Sequence, residues 1–99
     1  MNYNFEWNPR KAHDNLLKHK ISFARAAEVF LDPHAISIFD KTHSNDEDRW
    51  ITIGNTQNGI LTVVVHTFKE IHYDQISIRI ISARKATQKE SKQYRDTKI

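Results

Sequence analysis

The stretch RWITIGNTQNGILTVVVHTFK, residues 49–69, constrains this chain more than any other. Two runs rich in β-branched residues, 49–56 and 60–69, flank Gln57-Asn58-Gly59. Asn and Gly tolerate positive φ, so the join reads as a hairpin turn. A tight two-residue turn would set apolar positions of one strand against polar positions of the other. A three-residue loop with Gly59 left-handed pairs Thr56 with Ile60, Ile53 with Val63 and Ile51 with Val65, so the apolar residues share a face. The hairpin thus predicts its own register, and an antiparallel sheet at the centre of the fold.

The remaining elements arrange themselves around it. Asn8-Pro9 is a helix start: Asn caps free backbone N–H groups, and Pro needs none at the first helical position. The helix is predicted over residues 9–19, with Ala12, Leu16 and Leu17 as a narrow apolar stripe. Ser22 caps a second helix, on which Phe23, Ala26, Ala27 and Phe30 recur at helical spacing, and Asp32-Pro33 ends it. Residues 35–40 alternate as a strand, residues 41–48 form a polar, acidic loop, and residues 75–84 form a fourth strand. Thr87 and Glu90 have capping-box spacing and open a last helix over residues 88–95, on which Tyr94 is the one large apolar residue. If Val63, Val65, Ile76, Ile78 and Ile80 face the helices, then Trp50, His66, Ser77 and Arg79 share the opposite face. With 99 residues this makes one α+β domain, spanning 1–99: two N-terminal helices packed on a four-stranded, mainly antiparallel sheet, with a C-terminal helix.

Composition narrows the function. There is no cysteine, so disulfides and thiolate metal sites are excluded. The six histidines show no HExxH or i, i+4 pairing, and the two glycines make no phosphate-cradling loop, so neither a metal nor a nucleotide cofactor is expected. No apolar run approaches the roughly 20 residues that span a bilayer, and the first residues lack the apolar core of a signal peptide. The expected compartment is the cytoplasm. The net charge of +3 is uneven: residues 79–99 carry seven Lys/Arg and two Asp/Glu, and residues 1–78 eight and ten. A basic end on a near-neutral body suits a polyanion such as RNA, and equally an acidic protein partner.

Acid/base and electrostatic chemistry remain. RNA is cleaved when its own 2′-OH attacks the adjacent phosphate. A protein helps by taking that proton, stabilising the phosphorane and protonating the leaving 5′-oxygen. His66 is a natural proton carrier and Arg79 a natural phosphate fork, with Arg84 at the strand end. Trp50 suits base stacking, and Arg49, Lys69 and Lys85 phosphate contacts. Each has a plainer alternative: His66 and Trp50 as packed residues, Arg79 in a salt bridge to an acid such as Glu6 or Glu28, Arg84 and Lys85 as a solvated turn, and Arg49 paired with the run 46–48.

The segments FEWNPRKAHDNLLKHKISFARAAEVFLDP, RWITIG, VVVHT and RIISARKAT, in that order and spacing, resemble the BrnT family of bacterial toxins from residue 5 to about residue 94. The resemblance implies a RelE-like fold and a metal-independent ribonuclease that arrests translation and growth. It also implies a cognate BrnA-type antitoxin of the ribbon-helix-helix class, which neutralises the toxin and carries it to operator DNA. By position it implicates Arg49, Trp50, His66, Arg79 and Arg84. The segment 68–74, FKEIHYD, departs from the short charged turn of the family, and Lys69 and Glu70 stand nearest to its arginine and carboxylate. Lys lacks the bidentate fork, which leaves open a catalytically degenerate toxin, or a basic RNA-binding domain, acting only as a binding module.

Overall fold

The computed structural model describes residues 2–97. Its order is β1 (Asn2–Glu6), α1 (Pro9–His19), α2 (Phe23–Ala26) running into a 3-10 turn (Ala27–Leu31), β2 (Ile36–Phe39), a second 3-10 turn (Lys41–His43), β3 (Arg49–Asn55), β4 (Leu61–Thr67), β5 (Lys69–His72), β6 (Gln75–Lys85) and α3 (Gln88–Thr97).

The hairpin has the register its sequence demands. Ile53 pairs with Val63 and Ile51 with Val65, and the Thr56 N–H donates to the Ile60 carbonyl at 3.1 Å. Gly59 closes the loop at φ 80°. Nothing lies near the position of a Cβ there, so only backbone conformation opposes one. Gly59→Ala is expected to cost about 1 kcal/mol in urea unfolding, with no change of fold. An unchanged midpoint would show that the loop relaxes freely.

The helix starts also follow the sequence. The Asn8 side chain accepts from the N–H groups of Arg10 and Lys11, and Ser22 from that of Arg25. Thr87 and Glu90 cap each other reciprocally. The second helix is shorter than its apolar pattern predicts: after one turn the chain tightens into the 3-10 turn, which brings Val29 and Phe30 onto the sheet.

The sheet has six strands where four were expected, in the order β1-β6-β4-β3-β2, with β5 also pairing β6. Residues 2–6 form a parallel edge strand, Phe5 beside Ile78, anchored by Tyr3 and Phe5 against Phe30. The expected strand 60–69 breaks at Phe68, and Lys69 onward pairs with β6 as β5.

The larger correction concerns faces. Along β4, His66 pairs with Ile80 but Val65 with Ser82, which leaves Ile81 as an extra residue in β6. Such a bulge reverses the alternation beyond it. Ile76, Ile78, Ile80 and Ala83 therefore face α1 and α2, together with Val64 and His66, around Phe23, Ala26 and Val29. Val63 faces the opposite side, with Ile51 and Ile53. There Tyr94 seats α3, its hydroxyl donating to Asp32 at 2.6 Å. The domain is thus α+β with a mixed six-stranded sheet between α1 and α2 on one face and α3 on part of the other.

Candidate functional site

The candidate residues fall into three places. His66 and Trp50 lie opposite each other in β4 and β3, on the face toward α1 and α2, whereas Arg79 lies on the other face. The expected His66–Arg79 face does not form: the bulge at Ile81 sets His66 opposite Ile80, whose face it shares, and Arg79, next to Ile80, takes the other face.

His66 is 1% exposed. Its Nδ1 lies 2.8 Å from the Thr67 carbonyl, which can only accept, so Nδ1 carries a proton and donates. Nε2 lies 2.7 Å from Thr52 Oγ1, which in turn lies 2.8 Å from Ser37 Oγ. Burial pushes the imidazole pKa below 6.5, against a smaller upward pull from the Thr67 carbonyl. The ring is therefore neutral, and Nε2 accepts from Thr52. The edge-on Phe30 ring, with centroids 4.8 Å apart, completes the enclosure.

An acid-sensitivity follows. The unfolded chain takes up a proton on His66 more readily than the folded chain does. The stability that neutral His66 confers is complete above about pH 6.5 and is lost as pH falls from there through the lowered folded value. Melting temperature is expected to drop between about pH 7 and pH 5, and to drop less in His66→Phe. Equal slopes in the two proteins would place the acid-sensitivity elsewhere.

Beside His66, the half-buried Trp50 meets Phe39 edge-on at 5.3 Å and Phe68 at 6.3 Å. Trp50, Phe68, Tyr3, Phe30, Ser37 and His66 line a cup of about 210 Å³.

The second place is a cleft of about 420 Å³ on the α3 side of the sheet, beyond that helix, where Arg79 and Lys69 meet Glu6, Glu47, Asp48 and Phe68. The Arg79 backbone N–H donates to Thr67 Oγ1. Its guanidinium, with the side chain 40% exposed, pairs with Glu47 of the acidic loop. Of the acids expected for Arg79, Glu6 lines this cleft, and Glu28 is held instead by Arg25 and by the Gln57 N–H. Arg49 lines an adjoining depression with Asp46 and Glu47.

The third place is a basic groove of about 460 Å³ where the end of α1 meets the end of β6. Lys18, His19, Lys20, Arg84 and Lys85 line it. Arg84 grips Glu90 through two bonds of 2.8 and 2.9 Å, which hold the Glu90 carboxyl down at about 2. Lys85 is exposed. Sequence reasoning offered Glu6 only as a salt-bridge partner of Arg79 and Glu47 only within the run beside Arg49, and it passed over Ser37 and His19. The acidic run 46–48 was visible, but nothing local told that it folds back over Arg79.

Among the described residues, no group of three or more His, Cys, Asp or Glu side chains converges as a metal site would. No helix among them is long and apolar enough to cross a membrane.

Residues 7–90 match the family model described as "Ribonuclease toxin, BrnT, of type II toxin-antitoxin system". Among solved structures, the chain is similar to the ribonuclease toxin BrnT of Brucella abortus, seen in a 1.1 Å crystal structure. The TM-score is 0.57 at 27% identity, over 88% of this chain and 100% of that one. No curated protein matches significantly.

Proposed function

The chain belongs to the BrnT family of type II ribonuclease toxins, and from that premise we propose that it is a metal-independent, RelE-like endoribonuclease that arrests translation and growth. A type II toxin implies an antitoxin. In this reading the antitoxin is of BrnA type, a ribbon-helix-helix protein that neutralises the toxin in the cytoplasm and alone brings it to operator DNA.

The observation that carries the site is the cleft that holds Arg79, Lys69, Glu6 and Glu47 together. Cleavage needs an anion fork, a base and an acid within one nucleotide's reach, and this cleft holds all three. An RNA phosphate takes the place of Glu47 on the Arg79 guanidinium. Exposed ion pairs contribute only about 0–1 kcal/mol, so the exchange costs little. The released carboxylate takes the 2′-OH proton as that oxygen attacks phosphorus. Arg79 stabilises the phosphorane, and the P–O5′ bond breaks as the Lys69 ammonium protonates the leaving oxygen. Trp50 holds a base, Arg49 extends the phosphate path, and the Arg84–Lys85 groove offers the RNA backbone a second basic surface. His66 orders the sheet's other face.

The test is incubation of the purified chain with RNA in excess chelator, with and without ribosomes. Cleavage under chelator supports the proposal. No cleavage in either condition, together with no growth arrest on expression, overturns it. A second reading, a degenerate toxin that only binds, draws on the carboxylates already seated on Arg79 and Arg84. It predicts tight antitoxin or RNA binding with RNA left intact.

A further inference from the structure

The cup around Trp50 contains a deduced polarity. The Thr67 carbonyl fixes the proton on Nδ1 of His66, so the neutral ring accepts at Nε2, and Thr52 Oγ1 must donate there. Thr52 has then spent its proton, so the 2.8 Å contact with Ser37 requires Ser37 Oγ to donate to Thr52. Ser37 is left with only lone pairs to offer, and it lines the cup. With both His66 nitrogens engaged, the cup is an aromatic slot in which Ser37 presents an acceptor, and its walls include Tyr3 and Trp50, each with a polar group of its own.

Its size limits the occupant. Pockets for drug-sized ligands run to roughly 300–1,000 Å³, and about 210 Å³ suits a single planar ring system. Its position names the occupant's other half. Phe68 sits where β4 breaks before β5 and lines both the cup and the Arg79–Lys69 cleft on the other face. A ring in the cup therefore has cations around the corner, one residue along the chain.

The geometry points to a nucleobase subsite in this cup that prefers bases with an exocyclic amine over uracil, the attached phosphate turning past Phe68 toward Lys69 and Arg79. Stacking on aromatics holds any base. The Ser37 acceptor adds the choice. Cytosine projects an amine to it, whereas the only edge donor of uracil, N3–H, is recessed between two carbonyl oxygens that meet the Ser37 lone pairs. This inference rests on RNA as the substrate but not on cleavage at Arg79, so the two are separable.

The experiment titrates the full chain with CMP and with UMP and follows the indole N–H signals of nitrogen-labelled tryptophan, which Trp50→Phe assigns. CMP is expected to move the Trp50 signal and leave Trp7 still, with UMP about tenfold weaker, as one hydrogen bond decides. Ser37→Ala should bring the two together. Equal responses to CMP and UMP in the parent chain, or a persisting preference in Ser37→Ala, overturn the amine preference. No response of Trp50 to either nucleotide, with RNA still cleaved, overturns the subsite and leaves the ribonuclease reading standing. A Trp50 signal moved only by antitoxin assigns the cup to a protein partner and overturns it too. Selective CMP binding by a chain that cleaves no RNA upholds the subsite and overturns the nuclease.

Discussion

Arg79→Ala is expected to reduce RNA cleavage at least a hundredfold and to abolish growth arrest, with almost no loss of stability. The two halves come from different magnitudes. Removing one donor preorganised toward a developing oxyanion costs about 10² to 10³ in rate, and a guanidinium offers two toward one phosphate. The Arg79–Glu47 pair joins two side chains that are each about two-fifths exposed, and such pairs contribute about 0–1 kcal/mol. Melting temperature should therefore stay within a few degrees. Arg79→Lys keeps the charge without the fork and should fall between parent and alanine. His66→Phe provides the contrast. If His66 carried the proton, its loss would cut cleavage as Arg79→Ala does. In the geometry described, it changes stability and acid-sensitivity and leaves the rate per folded molecule within a few-fold. Full activity in Arg79→Ala would move the site to the Arg84–Lys85 groove.

What the sequence disclosed and what it concealed divide along sequence separation. The Gln57-Asn58-Gly59 loop, the Asn8 and Ser22 caps and the Thr87–Glu90 box are decided within a few residues, and each stands where its residues put it. Two local signals were too weak to read. Asn2–Glu6 is only five residues long, and it pairs where β6 offers an open edge. Ile81 looks like any other isoleucine in an alternating run, yet it is the bulged residue that puts Ile76, Ile78 and Ile80 on the same side as His66 and Trp50. The site suffered most from this. Arg79, Lys69, Arg84 and Trp50 were legible as residue types suited to RNA, but their grouping depended on one inserted residue. Glu47 reaches Arg79 across 32 positions, a pairing that no periodicity encodes.

Asn15→Leu is expected to remove about 3–5 kcal/mol, a large share of the 5–15 typical of a domain. Asn15 is only 7% exposed, on a helix whose pattern presented it as an ordinary polar position. Its Nδ2 donates to the carbonyls of Ile21 at 3.1 Å and Ala83 at 2.9 Å, and its Oδ1 accepts from the Ala83 N–H at 3.1 Å. The reason lies in the sheet. β1 covers the outer edge of β6 only from Gln75 to Arg79, so Ala83 presents an N–H and a carbonyl with no strand beside them. The Asn15 carboxamide, one donor and one acceptor side by side, takes the place of the missing strand. Leucine keeps the branched four-heavy-atom shape, so most of the loss would come from three buried backbone groups left without partners, each worth about 1–3 kcal/mol. Asn15→Asp should be as damaging, because its second oxygen would face two carbonyls. Urea unfolding would show a lower midpoint at unchanged slope, and a loss below about 1 kcal/mol would mean that water fills the edge. Function is tied to the same bonds. β6 carries Arg79 below the bulge and Arg84 and Lys85 above it, so an edge that frays at Ala83 separates the cleft from the basic groove. Faster exchange of the Ala83 amide in Asn15→Leu, with that of Arg79 unchanged, would locate the loosening between the two surfaces that one RNA strand would have to touch together.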